Sequence, residues 1–401
     1  MSTKQFSRGK AIAIIGAVQT LQPFTLDPYL PSVKPIATDF AVDPSVIQLT
    51  LSAVTLGFAI GMLIAGPFSD NFGRRRPLLI GMGVYLLATL SVSLSPSVEI
   101  FFAMRMLQGL SAAAVLVVGN AMLRDMFEGL ALIKALSRAM LLQAASWFIG
   151  PFMGSMFLYF TNWRGVAAIV GSLCGLLLIL AWRLLPETLH QDNRKEQLFA
   201  GMHKRFAAVL RDRQYAGLVG ISACFALAIF SYLTVTPFVY SQEFGIASTG
   251  IGLFIALNSI GSYIGVQVTS KLSQYIPAQW VLTGVIGLAG IFGLAMLLFA
   301  KTQPPLWLAA GLIVLYVFTF GSSLTPNTVL AMAPHGNEAG TAAALMSVAG
   351  YLATAAAGPF YTSLTKTDLS GVGATVVTMM SIAMLLMFFV VKPRTVAALE
   401  R

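Results

Sequence analysis

Twelve stretches of the chain run apolar for about twenty residues apiece, each closed off by charge, proline or glycine. They lie near residues 10–32, 46–68, 77–95, 97–120, 138–160, 165–185, 215–240, 248–270, 279–300, 305–328, 341–362 and 371–391. A run of about 18 or more apolar residues can cross the ~30 Å hydrocarbon core of a bilayer as a helix, so the pattern predicts twelve membrane spans. Spanning strands would alternate over about ten residues, which excludes a membrane β-barrel. The first run follows Lys4, Arg8 and Lys10 much as a secretory leader would. Pro23, Asp27 and Pro28 then follow with no small-residue cleavage site, so the run is read as a retained first helix.

Composition narrows the class further. Of 401 residues, 57% are hydrophobic and 10% charged, against roughly 25% charged in a soluble protein. There is too little charge to solvate two or three soluble domains, and too little polarity for a disordered chain. Cys174 and Cys224 each lie inside an apolar run, which excludes a disulfide scaffold. The net charge of +10 needs no nucleic acid to explain it. With the N-terminus inside, twenty of the 25 basic residues fall on the cytoplasmic side, and only Lys34, Arg164, Lys301 and Lys366 fall outside. The positive-inside rule then predicts both termini in the cytoplasm of a multi-pass protein.

The longest polar stretch, about 186–214, follows the sixth span. It contains Asn193, Arg194, Lys195 and Glu196, then Lys204, Arg205, Arg211, Asp212 and Arg213. It reads as a cytoplasmic linker with one amphipathic helix on the membrane surface, the alternative being a regulatory domain. The expected organisation is a six-helix bundle over 1–185, the linker over 186–214, and a second bundle over 215–401. Two matches at nearly one offset support a duplicated unit. Pro28 in the first span aligns with Pro237 in the seventh, and Gly150-Pro151-Phe152 in the fifth with Gly358-Pro359-Phe360 in the eleventh. Such repeats let secondary transporters open a central site alternately to either side.

Between the second and third spans the chain reads Gly66-Pro67-Phe68-Ser69-Asp70-Asn71-Phe72-Gly73-Arg74-Arg75-Arg76. A basic cytoplasmic turn explains the arginines but not the spaced Gly66, Asp70 and Gly73. The stretch resembles the signature of the major facilitator superfamily, with Asn71 standing where that family usually has arginine. The resemblance implies an all-α integral membrane fold of twelve transmembrane helices in two pseudo-symmetric six-helix bundles. It also implies a loop that latches the halves on the cytoplasmic side. Asp70 would then sit near a helix N-terminus of the opposite half, and Arg74 or Arg75 would pair with Asp125 after the fourth span.

Arg105 lies about eight residues into the fourth span, with Gln108 one helical turn on. An arginine at that depth is costly unless it meets a partner or a water-filled cavity, the alternative being a side chain that snorkels to the interface. Asp27 is the one carboxylate placed inside a span. At ~1.5 Å per residue, Asp27 lies roughly 7 Å and Arg105 roughly 12 Å below the outer ends of their helices. Those depths allow proximity or a water bridge. An acid balanced between desolvation and a nearby arginine can change protonation during a cycle; the alternative is an interfacial aspartate capping a helix broken by Pro28 and Pro31. Thr236 aligns with Asp27 in the second half, so proton chemistry is expected in the first half alone.

The fifth-span run Trp147-Phe148-Ile149-Gly150-Pro151-Phe152-Met153-Gly154 suits close helix packing with a proline kink. It also resembles the glycine–proline motif of antiporters in the superfamily. Asp27-Pro28-Tyr29-Leu30-Pro31, Gln48-Leu49-Thr50, Arg124-Asp125, Pro326-Asn327 and Ala339-Gly340-Thr341-Ala342 are similar to the bicyclomycin and chloramphenicol resistance branch of drug/proton antiporters. That likeness implies a proton-coupled multidrug efflux transporter of a bacterial inner membrane, working by alternating access. Asp27 and Arg105 would couple protons. Phe24, Phe101, Gln108, Trp147, Tyr232, Thr236, Tyr240 and Asn258 are the candidate drug contacts, since an apolar cavity with few fixed polar groups tolerates varied amphipathic molecules.

Other readings are a facilitator for an endogenous metabolite such as an amino acid, peptide or sugar, and a non-transporting receptor. No enzyme is expected: His190, His203 and His335 lack metal-ligand spacing, and there is no phosphate-binding glycine loop. No cofactor or metal is expected beyond the proton gradient as energy source. The expected partners are drugs, protons and membrane lipid, with no nucleic acid, and the chain is expected to act as a monomer.

Overall fold

The structure, a computed structural model, describes residues 8–191, 194, 202–302, 304–364 and 368–394. Asn193, Lys195 and Glu196 of the central polar stretch lie outside the described residues, as do the side chains of Lys204, Arg205, Ala339, Gly340, Gly358, Pro359 and Phe360. All regular structure among the described residues is helical. The chain divides into two compact units, Met1–Ala200 and Gly201–Arg401.

The first unit departs from expectation at its start. In place of one helix over 10–32 there are α1 (Arg8–Gln19), α2 (Leu21–Leu26), a 3₁₀ turn over Asp27–Ser32 and α3 (Val33–Asp39). Prolines supply the reason. Pro28 and Pro31 have no N–H to give and their rings crowd the preceding turn, so α-helical bonding cannot run through. Five long helices follow: α4 (Pro44–Phe72), α5 (Arg75–Ser93), α6 (Val98–Met126), α7 (Gly129–Phe160) and α8 (Trp163–Leu184). Asp43 caps α4 by accepting from Ser45 N at 2.8 Å, and Asn162 caps α8 by accepting from Gly165 N at 2.9 Å.

The second unit opens with α9 (Met202–Arg211) and α10 (Arg213–Phe238), the latter ending in a π turn over Val239–Glu243 just past Pro237. Then come α11 (Ser248–Leu272), α12 (Ala278–Phe299), α13 (Leu306–Met332), α14 (Ala339–Leu364) and α15 (Leu369–Leu385). Ten helices of the described residues are long and apolar enough to cross a membrane, and α14 contributes a shorter apolar run, Thr341–Ala357. The broken first segment accounts for the difference from twelve uniform spans.

The same helix pairs pack in both units. α4 lies on α6, α5 on α6 and α8, and α1 on α7; correspondingly α11 lies on α13, α12 on α13 and α15, and α10 on α14. Glycines make the closest of these contacts. A Cβ at Gly57, Gly61 or Gly109 would run into backbone carbonyls of Met106, Leu110 and Val54 across the α4–α6 contact. Across α11–α13, Gly265 and Gly321 would strike the carbonyls of Phe318 and Ser262. Small residues allow this approach where lipid provides no hydrophobic drive between helices.

Candidate functional site

A buried polar cluster forms where the broken segment of the first unit meets α6. Pro28 and the 3₁₀ turn leave backbone carbonyls at the end of α2 without helical donors, free for side chains. Arg105, only 1% exposed, uses one of them. Its Nη1 donates to the Thr25 carbonyl at 2.6 Å and to Gln108 Oε1 at 2.9 Å. Its guanidinium carbon lies 4.2 Å from the Tyr29 ring centroid, within cation–π range. Gln108 in turn donates to Thr89 Oγ1 at 2.8 Å, and the Thr89 hydroxyl donates to the Tyr85 carbonyl at 2.7 Å.

Asp27 opens the 3₁₀ turn. Its Oδ2 is buried without a hydrogen-bond partner, as are Nε and Nη2 of Arg105. Arg105 meets neutral groups, Thr25, Gln108 and Tyr29, while Asp27 lies against Gly150 of α7. The glycines of α7 bring the turn in. A Cβ at Gly150 would lie 2.8 Å from Asp27 Cβ, and one at Gly154 would meet the Pro28 carbonyl. Gly150 and Gly154 are thus the surface on which Asp27 and Pro28 rest, with Pro151 between them inside α7. Phe24 is buried on α2.

Four amide side chains escaped the sequence reading. Gln143 Nε2 donates to Gln22 Oε1 at 2.9 Å, and Gln19 Nε2 to Asn120 Oδ1 at 3.0 Å. Their signal was available: Gln19 and Gln22 are polar, three apart, and sit in an apolar run. Two candidates fall elsewhere. Phe101, proposed as a drug contact, is packed in an aromatic cluster instead, with ring centroids 5.7 Å from Phe40 and 5.6 Å from Trp163. Phe40, just past α3, and Trp163, at the start of α8, converge on its ring. Trp147 is exposed on α7.

In the second unit, Asn258 Nδ2 donates to Tyr232 Oη at 2.7 Å. The Tyr240 ring lies 4.8 Å from Phe254, and Thr236 Oγ1 is buried without a partner. Tyr232, Thr236, Tyr240 and Asn258 are all buried, and none is charged.

The basic loop is built around Arg74. Because α6 continues to Met126, Asp125 rides on its last turn and reaches the loop. Arg74 Nε donates to Asp125 Oδ2 at 2.9 Å, and Nη1 to Asp70 Oδ1 at 2.6 Å and Ser69 Oγ at 2.7 Å. Arg75 is not the partner of Asp125; its guanidinium donates to the Trp182 carbonyl. Gly73 takes φ +87, the left-handed region that suits glycine. Gly66, by contrast, has no close neighbour of that kind.

Glu187, also missed in the sequence, caps α5. Its Oε1 accepts from Arg74 N at 2.7 Å, and its Oε2 from Arg75 N at 3.2 Å. Partial burial works against its charge, but backbone N–H groups of Arg74, Leu189, Arg75 and Thr188 outweigh it and hold the carboxyl below the usual carboxylate range. Partial burial likewise opposes the Arg74 charge, and Asp125 and Asp70 more than restore it.

An all-helical chain with membrane-length helices, a repeated packing pattern in two units and an arginine-centred loop after its second long segment is built as a secondary transporter is. The sequence model of the Major Facilitator Superfamily matches residues 11–359, and the chain belongs to that family: it is a multi-pass membrane transporter and not an enzyme. It is 32% identical to the uncharacterized MFS-type transporter YdgK of Bacillus subtilis over 84% of each chain. It is 29% identical to the bicyclomycin resistance protein homolog of Haemophilus influenzae over 74% of each. Among solved structures it matches that of a D-xylose-proton symporter with a TM-score of 0.76, covering 98% of this chain and all of the other. At 17% identity this last likeness shows the fold alone.

Proposed function

We propose that the chain is a proton-coupled exporter of small amphipathic drugs in a bacterial inner membrane, with both termini cytoplasmic. The observation that carries the reading is the buried Asp27 Oδ2, which lacks any hydrogen-bond partner. A carboxyl locked into an ion pair would resist protonation, whereas one facing neutral groups can take up and release a proton as its surroundings change. Arg105 is held by Thr25, Gln108 and Tyr29, so its charge is engaged by neutral groups and leaves Asp27 free to titrate. Protonation of Asp27 from outside would alternate with drug binding from the cytoplasm. The resistance-protein name of the Haemophilus relative supports a drug as cargo.

Vesicles with an imposed pH gradient test this. Asp27→Asn should abolish uphill drug export while leaving the protein folded, and Arg105→Ala should impair it. Export by Asp27→Asn at the wild-type rate would remove Asp27 as the coupling acid. A second reading draws on Arg105, whose Nε and Nη2 are unpartnered and could receive an anionic metabolite. Downhill uptake of such a metabolite without a pH gradient, lost in Arg105→Ala but not in Asp27→Asn, would favour that reading.

A further inference from the structure

An apolar groove of about 430 Å³ opens on the first unit between α4, α5 and α6. Gly61 and Ala114 are among the small residues that hollow it, while Phe68, Phe72 and Ile80 stand at its sides 40%, 46% and 65% exposed. Arg76 closes one end, at the second position of α5. On α4 the groove runs from Gly61 to Phe72, which at ~1.5 Å per residue is roughly 16 Å. That is about half the ~30 Å hydrocarbon core, or the depth of one leaflet.

Arg76 is the third of three consecutive arginines, and among the described residues it is the one with no hydrogen-bond or ion-pair partner. Arg74 is engaged by Asp70 and Asp125, and Arg75 by the Trp182 carbonyl. Arg76 is exposed and has no ion pair or hydrogen bond among the described residues. A one-leaflet apolar slot that ends at a free guanidinium matches an acyl chain joined to a phosphate. We propose that this groove is a binding site for an anionic phospholipid, with an acyl chain between α4, α5 and α6 and the headgroup phosphate on Arg76. Guanidinium pairs with phosphate by two parallel hydrogen bonds. An anionic headgroup leaves that phosphate charge uncompensated, whereas a choline headgroup brings its own cation beside Arg76.

Native mass spectrometry of the full chain with equimolar phosphatidylglycerol and phosphatidylcholine tests the assignment. Wild type should retain one phosphatidylglycerol with about fivefold preference, the factor that one basic residue near an anionic surface gives. Arg76→Gln should bind either lipid with no preference, while Arg138→Gln, a basic residue outside the groove, should keep it. Ala114→Leu, which fills the groove, should lower retention of both lipids. Ile80→Trp, at the exposed side, tests the same blockage should Ala114→Leu fold poorly. Equal preference in wild type and Arg76→Gln, or undiminished retention in both groove-filling variants, overturns the proposal. Retention of drug but of neither lipid, lost in Ala114→Leu, would overturn it too.

Discussion

Gly150→Ala is a sharp probe of how α7 positions Asp27. The added methyl would sit 2.8 Å from Asp27 Cβ, whereas carbon atoms rest about 3.5–4.0 Å apart. The turn must therefore retreat by roughly 0.7–1.2 Å, and overpacking of that kind costs about 1–3 kcal/mol. Alanine regains about 1 kcal/mol over glycine within a helix, so the net loss should be about 0–2 kcal/mol. Gly83→Ala on α5 is the matched control, because nothing lies within 4 Å of its Cβ; it should be neutral or slightly stabilising. Thermal unfolding in lipid nanodiscs would measure both, alongside drug export under a pH gradient. Gly150→Ala should lose export out of proportion to its small loss of stability, since a shift near 1 Å at the group proposed to carry the proton disrupts geometry more than folding. If the two variants unfold and export alike, Asp27 does not depend on the α7 glycine, and the described contact is not functional.

Two further outcomes follow from the hydrogen bonds. Gln108→Leu removes both the acceptor for Arg105 Nη1 and the donor to Thr89, and should destabilise the first unit by about 1–3 kcal/mol per group left unsatisfied, read as a lowered unfolding midpoint; an unchanged midpoint would show that the link carries no strength. Glu187→Gln should weaken the α5 cap at neutral pH, at the low end of the ~0.5–2 kcal/mol of such caps because the carboxylate is exposed. Since the folded carboxyl lies below its ordinary value, the wild-type advantage is full above about pH 4.3 and fades as pH falls through the depressed value; a gap that persists unchanged at pH 3 would contradict this.

What could be read along the chain were features that depend on one segment at a time. Apolar runs of membrane length gave the spans, because hydrocarbon must be met by about twenty apolar residues whatever lies beside them. Asp27 and Arg105 stood out for the same reason: each is costly in its own segment. The arginine-rich loop read as a cytoplasmic turn from its charge alone, while the left-handed backbone at Gly73 came from the structure. Proline at 23, 28 and 31 carried the signal of a broken helix, though it was read as a single span.

Partners across the fold were decided only by tertiary packing. Helical periodicity tells which residues share a face but not how far a helix is rotated against its neighbours. For that reason Arg74 rather than Arg75 meets Asp125, Glu187 folds back over the start of α5, and Phe101 joins Phe40 and Trp163. The same cause put Asp27 against Gly150 and left its Oδ2 unpartnered, while Arg105 turned to Thr25 and Gln108. Sequence singled out two charges within apolar runs; only the contacts of α2, α6 and α7 determined that Arg105 would be held by Thr25 and Gln108 and Asp27 would lie against Gly150.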